Sequence, residues 1–339
     1  MKISGDLAKE KVVVKKPKDV GRLFNKSHFG NMKKNGHLEI NLLEAVFLKG
    51  EGKINIYEQK KSLDFHDLVT LADKNYKDFD KKYLIFKDLR SRGHAISLSK
   101  NKKFTFEDFK KQFIVSTFSE KDTFDIDEIV SLINTVNQEN QELWFALVDE
   151  EGDITYYKVS LVDLIGKNKE HSYTKSKGFL LENRVIIFDR KTSKELFEKE
   201  FFGKPFADGL QLSIVEALFL IDKGYLEIIS EDDKIISRDK LEDLQPDINL
   251  RSVVFHGLKK RGLIVKTGFK FGTHFRAYSK KPDQTHAEYL VHVVEKGFIS
   301  NWAEISRAVR LAHSVNKEIV FARVEKDKID YVGFGRLRP

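Results

Sequence analysis

Apolar positions along this chain follow two periods, and the order of those periods is read twice. Residues 40–50, INLLEAVFLKG, space their apolar side chains along one helix face and end at Gly50; residues 211–224, QLSIVEALFLIDKG, do the same up to Gly224. The stretch KKYLIFKDLRSRGHAI (81–96) predicts a helix that runs through its arginines, stops at Gly93 and turns into a strand. LRSVVFHGLKKRGLIV (250–265) repeats that pattern at Gly262. Near the end, EIVFARV followed by KIDYVGFG alternates apolar and polar residues around a charged turn, as a hairpin does.

These matches extend into a duplication. NQELWFALVDEEGDITYY (140–157) lies over NKEIVFARVEKDKIDYV (316–332), and KVVVKKPKDVGRLFNKSHFG (11–30) over RVIIFDRKTSKELFEKEFFG (184–203). Glu44 meets Glu216 and, further on, Phe145 meets Phe321, so order and spacing are both kept. The expectation is an α/β chain with mixed sheets, built as two tandem copies of a two-lobed unit. The first copy spans 1–164 and the second 179–339, its last lobe starting near 250. The polar stretch IGKNKEHSYTKSKG, 165–178, carries little to bury and is expected to be the linker.

Composition narrows the class. With 41% apolar and 33% charged residues in 339, the chain reads as globular, and no apolar run exceeds strand length. The opening MKISGDLAKE carries no apolar signal core, which leads one to expect a cytoplasmic protein without a membrane partner. Zero cysteines exclude disulfides, thiolate metal sites and cysteine nucleophiles. A formal charge of +8 suits a nucleic-acid partner.

Divergence between the copies points to the chemistry. The second copy has Tyr278, His286 and Lys317 where the first offers no match: Gln141 faces Lys317, and the residues around Phe109 and Lys110 face His286. Asn134 stands in the first copy where the second has Arg310. Taken singly, His286 reads as a polar residue at a strand start, Tyr278 as a half-buried loop aromatic, and Lys317 as a solvated lysine. No His and carboxylates fall at ligand spacing, so no metal and no cofactor are expected.

RGLIVKTGFKFGTHFRAY, HAEYLVHV, RAVRLAHSVNK and the closing GRLRP together resemble the catalytic half of the archaeal tRNA-intron splicing endonucleases. The two-copy layout resembles the homodimeric class of that family, in which each chain carries an inactive and an active repeat. The resemblance implies that Tyr278 is the general base, His286 the general acid and Lys317 the stabiliser of phosphorane charge. It also implies that Arg310 and Arg336 sandwich a bulged base. The acidic turn Asp149, Glu150, Glu151 and Asp153 would then plug a basic groove on the partner chain. The implied substrate is precursor tRNA with a bulge-helix-bulge motif, cut to 2′,3′-cyclic phosphate and 5′-hydroxyl ends. Ala287 departs from the family, where Ser is common after the His. A tyrosine needs its ordinary pKa near 10 lowered to act as a base, which nearby cations favour.

Two rivals remain at this point: a non-catalytic RNA-binding or assembly subunit, and a metal-dependent nuclease. His274 and His292 read as histidines outside the chemistry, and His313 as helix packing near the site.

Overall fold

The computed structural model describes residues 2–101, 103–108, 110, 112–230 and 232–339. Phe109, one of the residues set against His286 above, lies outside them. The chain forms two compact units. One comprises Met1–Asp122, Leu132–Val159 and Arg336–Pro339, and the other Thr123–Ser131 and Ser160–Gly335.

In the first unit a six-stranded mixed sheet has a parallel pair, Ile3–Ala8 with Ile54–Glu58, among antiparallel neighbours. The helices Leu42–Gly50 and Phe79–Ser91 bury apolar faces in the core of this unit. Beyond Gly93 the strands Ile96–Leu98, Phe106–Asp108, Phe113–Ser119, Glu142–Val148 and Ile154–Leu161 pair in turn. Only Phe113–Ser119 and Glu142–Val148 run parallel.

The second unit repeats the design. Ser176–Leu181 pairs in parallel with Leu226–Ile229 and antiparallel with Arg184–Ile187, which pairs with Gly209–Ser213, and that strand with Lys204–Phe206. Helix Ile248–Lys260 leads through Gly262 into Ile264–Thr267. The strands Phe275–Tyr278, Tyr289–Glu295, Glu318–Glu325 and Lys328–Leu337 follow, again with one parallel pair, Tyr289–Glu295 with Glu318–Glu325. A short strand that comes earlier in sequence, Thr123–Asp125, pairs with Ile299–Asn301 inside this unit. Residues 162–175 carry no helix or strand.

The shared Glu44 and Glu216 have the same physical job. Each is buried at the third position of its helix and closes a capping box with Asn41 or Ser213. Each also accepts a hydrogen bond from the backbone N–H of a distant glycine, Gly30 at 3.1 Å and Gly203 at 2.8 Å. Both glycines have positive φ, and a Cβ there would meet a backbone carbonyl within 2.5 Å, so no other residue fits.

Candidate functional site

Three neighbouring strands of the second unit bring the sequence-selected residues to one end of their sheet. Tyr278 ends Phe275–Tyr278, whose Ala277 is paired with Tyr289. Tyr289 starts the next strand, and His286 sits three positions before it. Tyr289 is in turn paired with Glu318, which starts the following strand directly after Lys317. Because that last pair is parallel, both strands begin at the same sheet end, and the residues ahead of them emerge together.

The loop between Tyr278 and Tyr289 is clamped at its foot. Glu288 accepts hydrogen bonds from the Ser279 backbone N–H at 2.8 Å and from Ser279 Oγ at 2.6 Å. The Glu318 N–H donates to the Glu288 carbonyl at 2.9 Å, tying the loop to the strand that follows Lys317. Glu288 is a residue that sequence reasoning missed. Nothing in the linear pattern distinguishes it from any other strand-start glutamate; its role depends on the two loop feet meeting.

His286 is exposed and Lys317 half-buried, and both line one open cavity of about 420 Å³ with Thr285, Glu288 and Asn316. The Lys317 ammonium donates to the Val315 carbonyl at 3.1 Å and lies 5.5 Å from the centre of the Phe271 ring. Tyr278 is 6% exposed and packs with Ile264, Ala287 and Phe201. It lines a different cavity, of about 930 Å³, which also holds Arg276, Lys266 and Lys204. His286 and Lys317 are therefore brought together, while Tyr278 stands at the other foot of the same loop and faces a second cavity.

In that second cavity Lys266 is held by the Phe201 carbonyl at 2.7 Å and lies 3.6 Å from Glu216. Burial pushes its pKa below the usual lysine value, against the pull of Glu216. The Arg276 guanidinium lies 5.8 Å from the centre of the Tyr278 ring, and its buried Nε has no hydrogen-bond partner among the described residues.

Arg310 is exposed on helix Trp302–Ser314 and its Nε reaches only the Ser306 carbonyl, at 3.4 Å. Arg336 is exposed near the end of Lys328–Leu337. The acidic turn is exposed as well, and Asp149 organises it by accepting from the N–H groups of Glu151 and Asp153 at 3.0 and 2.9 Å. Glu150 pairs with Lys121 at 2.5 Å, whereas Glu151 and Asp153 have no ion-pair partner among the described residues.

His313 does not pack inside its helix as expected. It is exposed on the last turn and lines a cavity with Tyr289, Asn316 and Lys317. His274 and His292 form a partly buried ring pair with centroids 4.6 Å apart. Among the described residues no three His, Asp or Glu side chains cluster so as to hold a metal ion. No helix among them is long and apolar enough to cross a membrane.

The first copy lacks the equipment of this sheet end. Its counterpart of the Ala277–Tyr289 pair is Asp108–Phe113, so residues 109–112 stand where the second copy has 278–288. Asp108 is buried there and accepts from the Ala95 and Lys110 N–H groups at 2.9 and 2.8 Å.

Fold and site define a duplicated α/β protein with two copies of one scaffold, one of which carries a loop bearing ionisable groups at a sheet end. The chain belongs to the tRNA intron endonuclease family. The model of that family's catalytic C-terminal domain matches residues 79–156 and again 248–331, and the model of its N-terminal domain matches 3–69 and 176–242. A tRNA-splicing endonuclease of Methanococcoides burtonii is 35% identical across 98% of this chain and 99% of its own length. One of Methanosarcina mazei is 31% identical across 94% of each chain. A tRNA-splicing endonuclease of Methanothermobacter thermautotrophicus is 34% identical over 98% of its own length but only 48% of this chain, the relation expected between a single copy and a duplicated one.

Proposed function

We propose that this chain is a metal-independent endonuclease that excises introns from precursor tRNA at bulge-helix-bulge junctions in the cytoplasm. The observation that carries the reading is the convergence of His286 and Lys317 on one open cavity beside the loop that begins at Tyr278. The corresponding stretch of the first copy is short and has Gln141 in place of Lys317.

The chemistry follows from these groups. Tyr278 takes the proton of the 2′-hydroxyl, whose oxygen attacks the adjacent phosphorus. His286 gives a proton to the departing 5′-oxygen, a transfer suited to an imidazole, and each positioned acid or base contributes about 10²–10⁴-fold. Lys317 neutralises the phosphorane, a role that needs a fixed cation. The products carry a 2′,3′-cyclic phosphate and a 5′-hydroxyl. Tyr278 must turn from its packed position toward the RNA as substrate binds, since catalytic contacts tighten only in the complex.

The first copy, 1–164, serves assembly, and the linker expected at 165–178 ends at 175, because Ser176 already opens the first strand of the catalytic copy. Two chains form a homodimer in which the acidic turn of one plugs a basic groove on the catalytic copy of the other, at Lys266 and Arg276, whose Nε has no hydrogen-bond partner among the described residues. Such complementarity fixes register more than it adds affinity. Arg310 and Arg336 clamp an unpaired base by planar stacking, each protomer serving the other's cut.

The test is cleavage of a bulge-helix-bulge RNA in EDTA by the wild type and by His286→Ala, with the end groups identified. Cleavage that survives the chelator, leaves cyclic phosphate and falls at least about 10²-fold in the variant is expected. Binding without cutting by the wild type would instead mark an assembly subunit.

A further inference from the structure

The outer face of the sheet containing Ser176–Leu181 differs from its counterpart in the first copy in one consistent direction. Paired residues on neighbouring strands point to the same side, so the registers fix which residues share a face. In the first copy this face is laced by ion pairs: Lys15 holds Asp6 at 2.9 Å, and Glu39 holds Lys11 and Lys33 at 3.1 and 3.0 Å. The matching registers put Phe179 in place of Asp6, Phe188 in place of Lys15 and Phe206 in place of Lys33.

Phe179 and Phe188 pack ring on ring, with centroids 5.4 Å apart. Even so Phe188 remains 55% exposed and Phe206 48%. The charges change too. Gln211 replaces Glu39, so the two carboxylates that pair the first copy's cations are gone, and the register brings in one, Glu227 in place of Asn55. Cations are redistributed, three on each face: Lys15 and Lys33 give way to the phenylalanines, while Arg184 replaces Lys11, Lys177 replaces Ser4 and Lys204 replaces Asn31. All three are exposed and have no carboxylate partner among the described residues. Glu227 is held by Lys175 at 3.1 Å and Asp208 by Arg190.

We propose that this face binds an unpaired stretch of RNA flanking the cut, a second contact that rests on the RNA substrate proposed above. Exposed aromatics on a sheet offer platforms for bases, whatever their sequence, and the surrounding cations neutralise phosphates. Apolar cover by a protein would be served by the phenylalanines alone. Loss of the two carboxylates that pair the first copy's cations leaves the cations of this face without a carboxylate, which selects a polyanion.

The test uses the whole chain and two variants: the double substitution Phe179→Asp with Phe188→Lys, which transplants the first copy's ion pair, and Phe206→Ala separately. Thermal melts check folding, and the first copy shows that this sheet accepts the transplanted pair. Fluorescence anisotropy with a fluorescein-labelled oligouridine reads the face. Each variant is expected to bind about tenfold or more weakly, the loss of a stacked base, while a bulge-helix-bulge RNA without single-stranded tails is cut at the wild-type rate. Unchanged oligouridine affinity in both variants overturns the proposal. So does a wild type that ignores the oligonucleotide, or variants that lose only a larger species in sedimentation, which would mark the face as an interface between copies. Failure of the cleavage reading is separate: the wild type would then leave the bulge-helix-bulge RNA whole whatever the oligouridine shows.

Discussion

His274 shows how burial fixes a histidine outside the reaction. Its Nδ1 accepts from the Val293 N–H at 2.9 Å, which requires that nitrogen to be unprotonated. Burial, followed by neighbouring His292 and Arg251, pushes its pKa down to about 4, with Asp247 pulling weakly the other way. Burial also lowers the pKa of His292. The unfolded chain, with ordinary histidines near 6.5, binds more protons than the folded one between those values, so stability rises with pH there. The stabilisation is complete above about pH 6.5 and is lost as the pH falls toward 4. His274→Gln keeps an acceptor without the titration. Its melting temperature is expected to vary less than the wild type's between pH 4 and 6.5, which thermal scans across that range will show.

At the scale of elements, Glu216 joins a helix start to a glycine turn. Glu216→Ala leaves the Gly203 and Ser213 N–H groups without their acceptor at 2.8 and 3.0 Å and removes the partner of Lys266. The expected cost is about 2–4 kcal/mol, read as a lower urea midpoint, and Glu216→Gln should lose less. This double duty explains why the duplication was legible in the linear chain: a buried glutamate that satisfies two backbone sites is costly to replace, and it recurs at the head of each apolar helix. The helix ends at Gly93 and Gly262 and the closing hairpin were legible for similar local reasons. What stayed hidden depends on pairing. Nothing in period-two alternation says that Tyr289 and Glu318 start side by side, that Glu288 clamps a loop, or that Phe179, Phe188 and Phe206 share a face. His313 was misjudged because its position on the helix says nothing about the neighbour that leaves it open to solvent.

For the whole molecule, charge is expected to govern both assembly and substrate. Asp149 shapes its turn, so it is the wrong residue to alter; Glu151 is exposed and unpaired among the described residues. Glu151→Lys should shift the chain toward single protomers in sedimentation equilibrium and lower cleavage with it, leaving the melting temperature unchanged. With a net charge of +8, RNA affinity of the wild type should fall steeply between 50 and 200 mM salt, titratable by anisotropy.

The short connection after Asp108 in the first copy has an evolutionary consequence. Gln141→Lys would restore a cation, but the backbone segment on which an acid and a base could be mounted is missing. On the reading proposed above, in which the first copy serves assembly, it cannot gain cutting one codon at a time. On that reading, drift in its surface carries no danger of a second, misplaced blade in the same chain, and its acidic turn is left free to be selected for partnership alone.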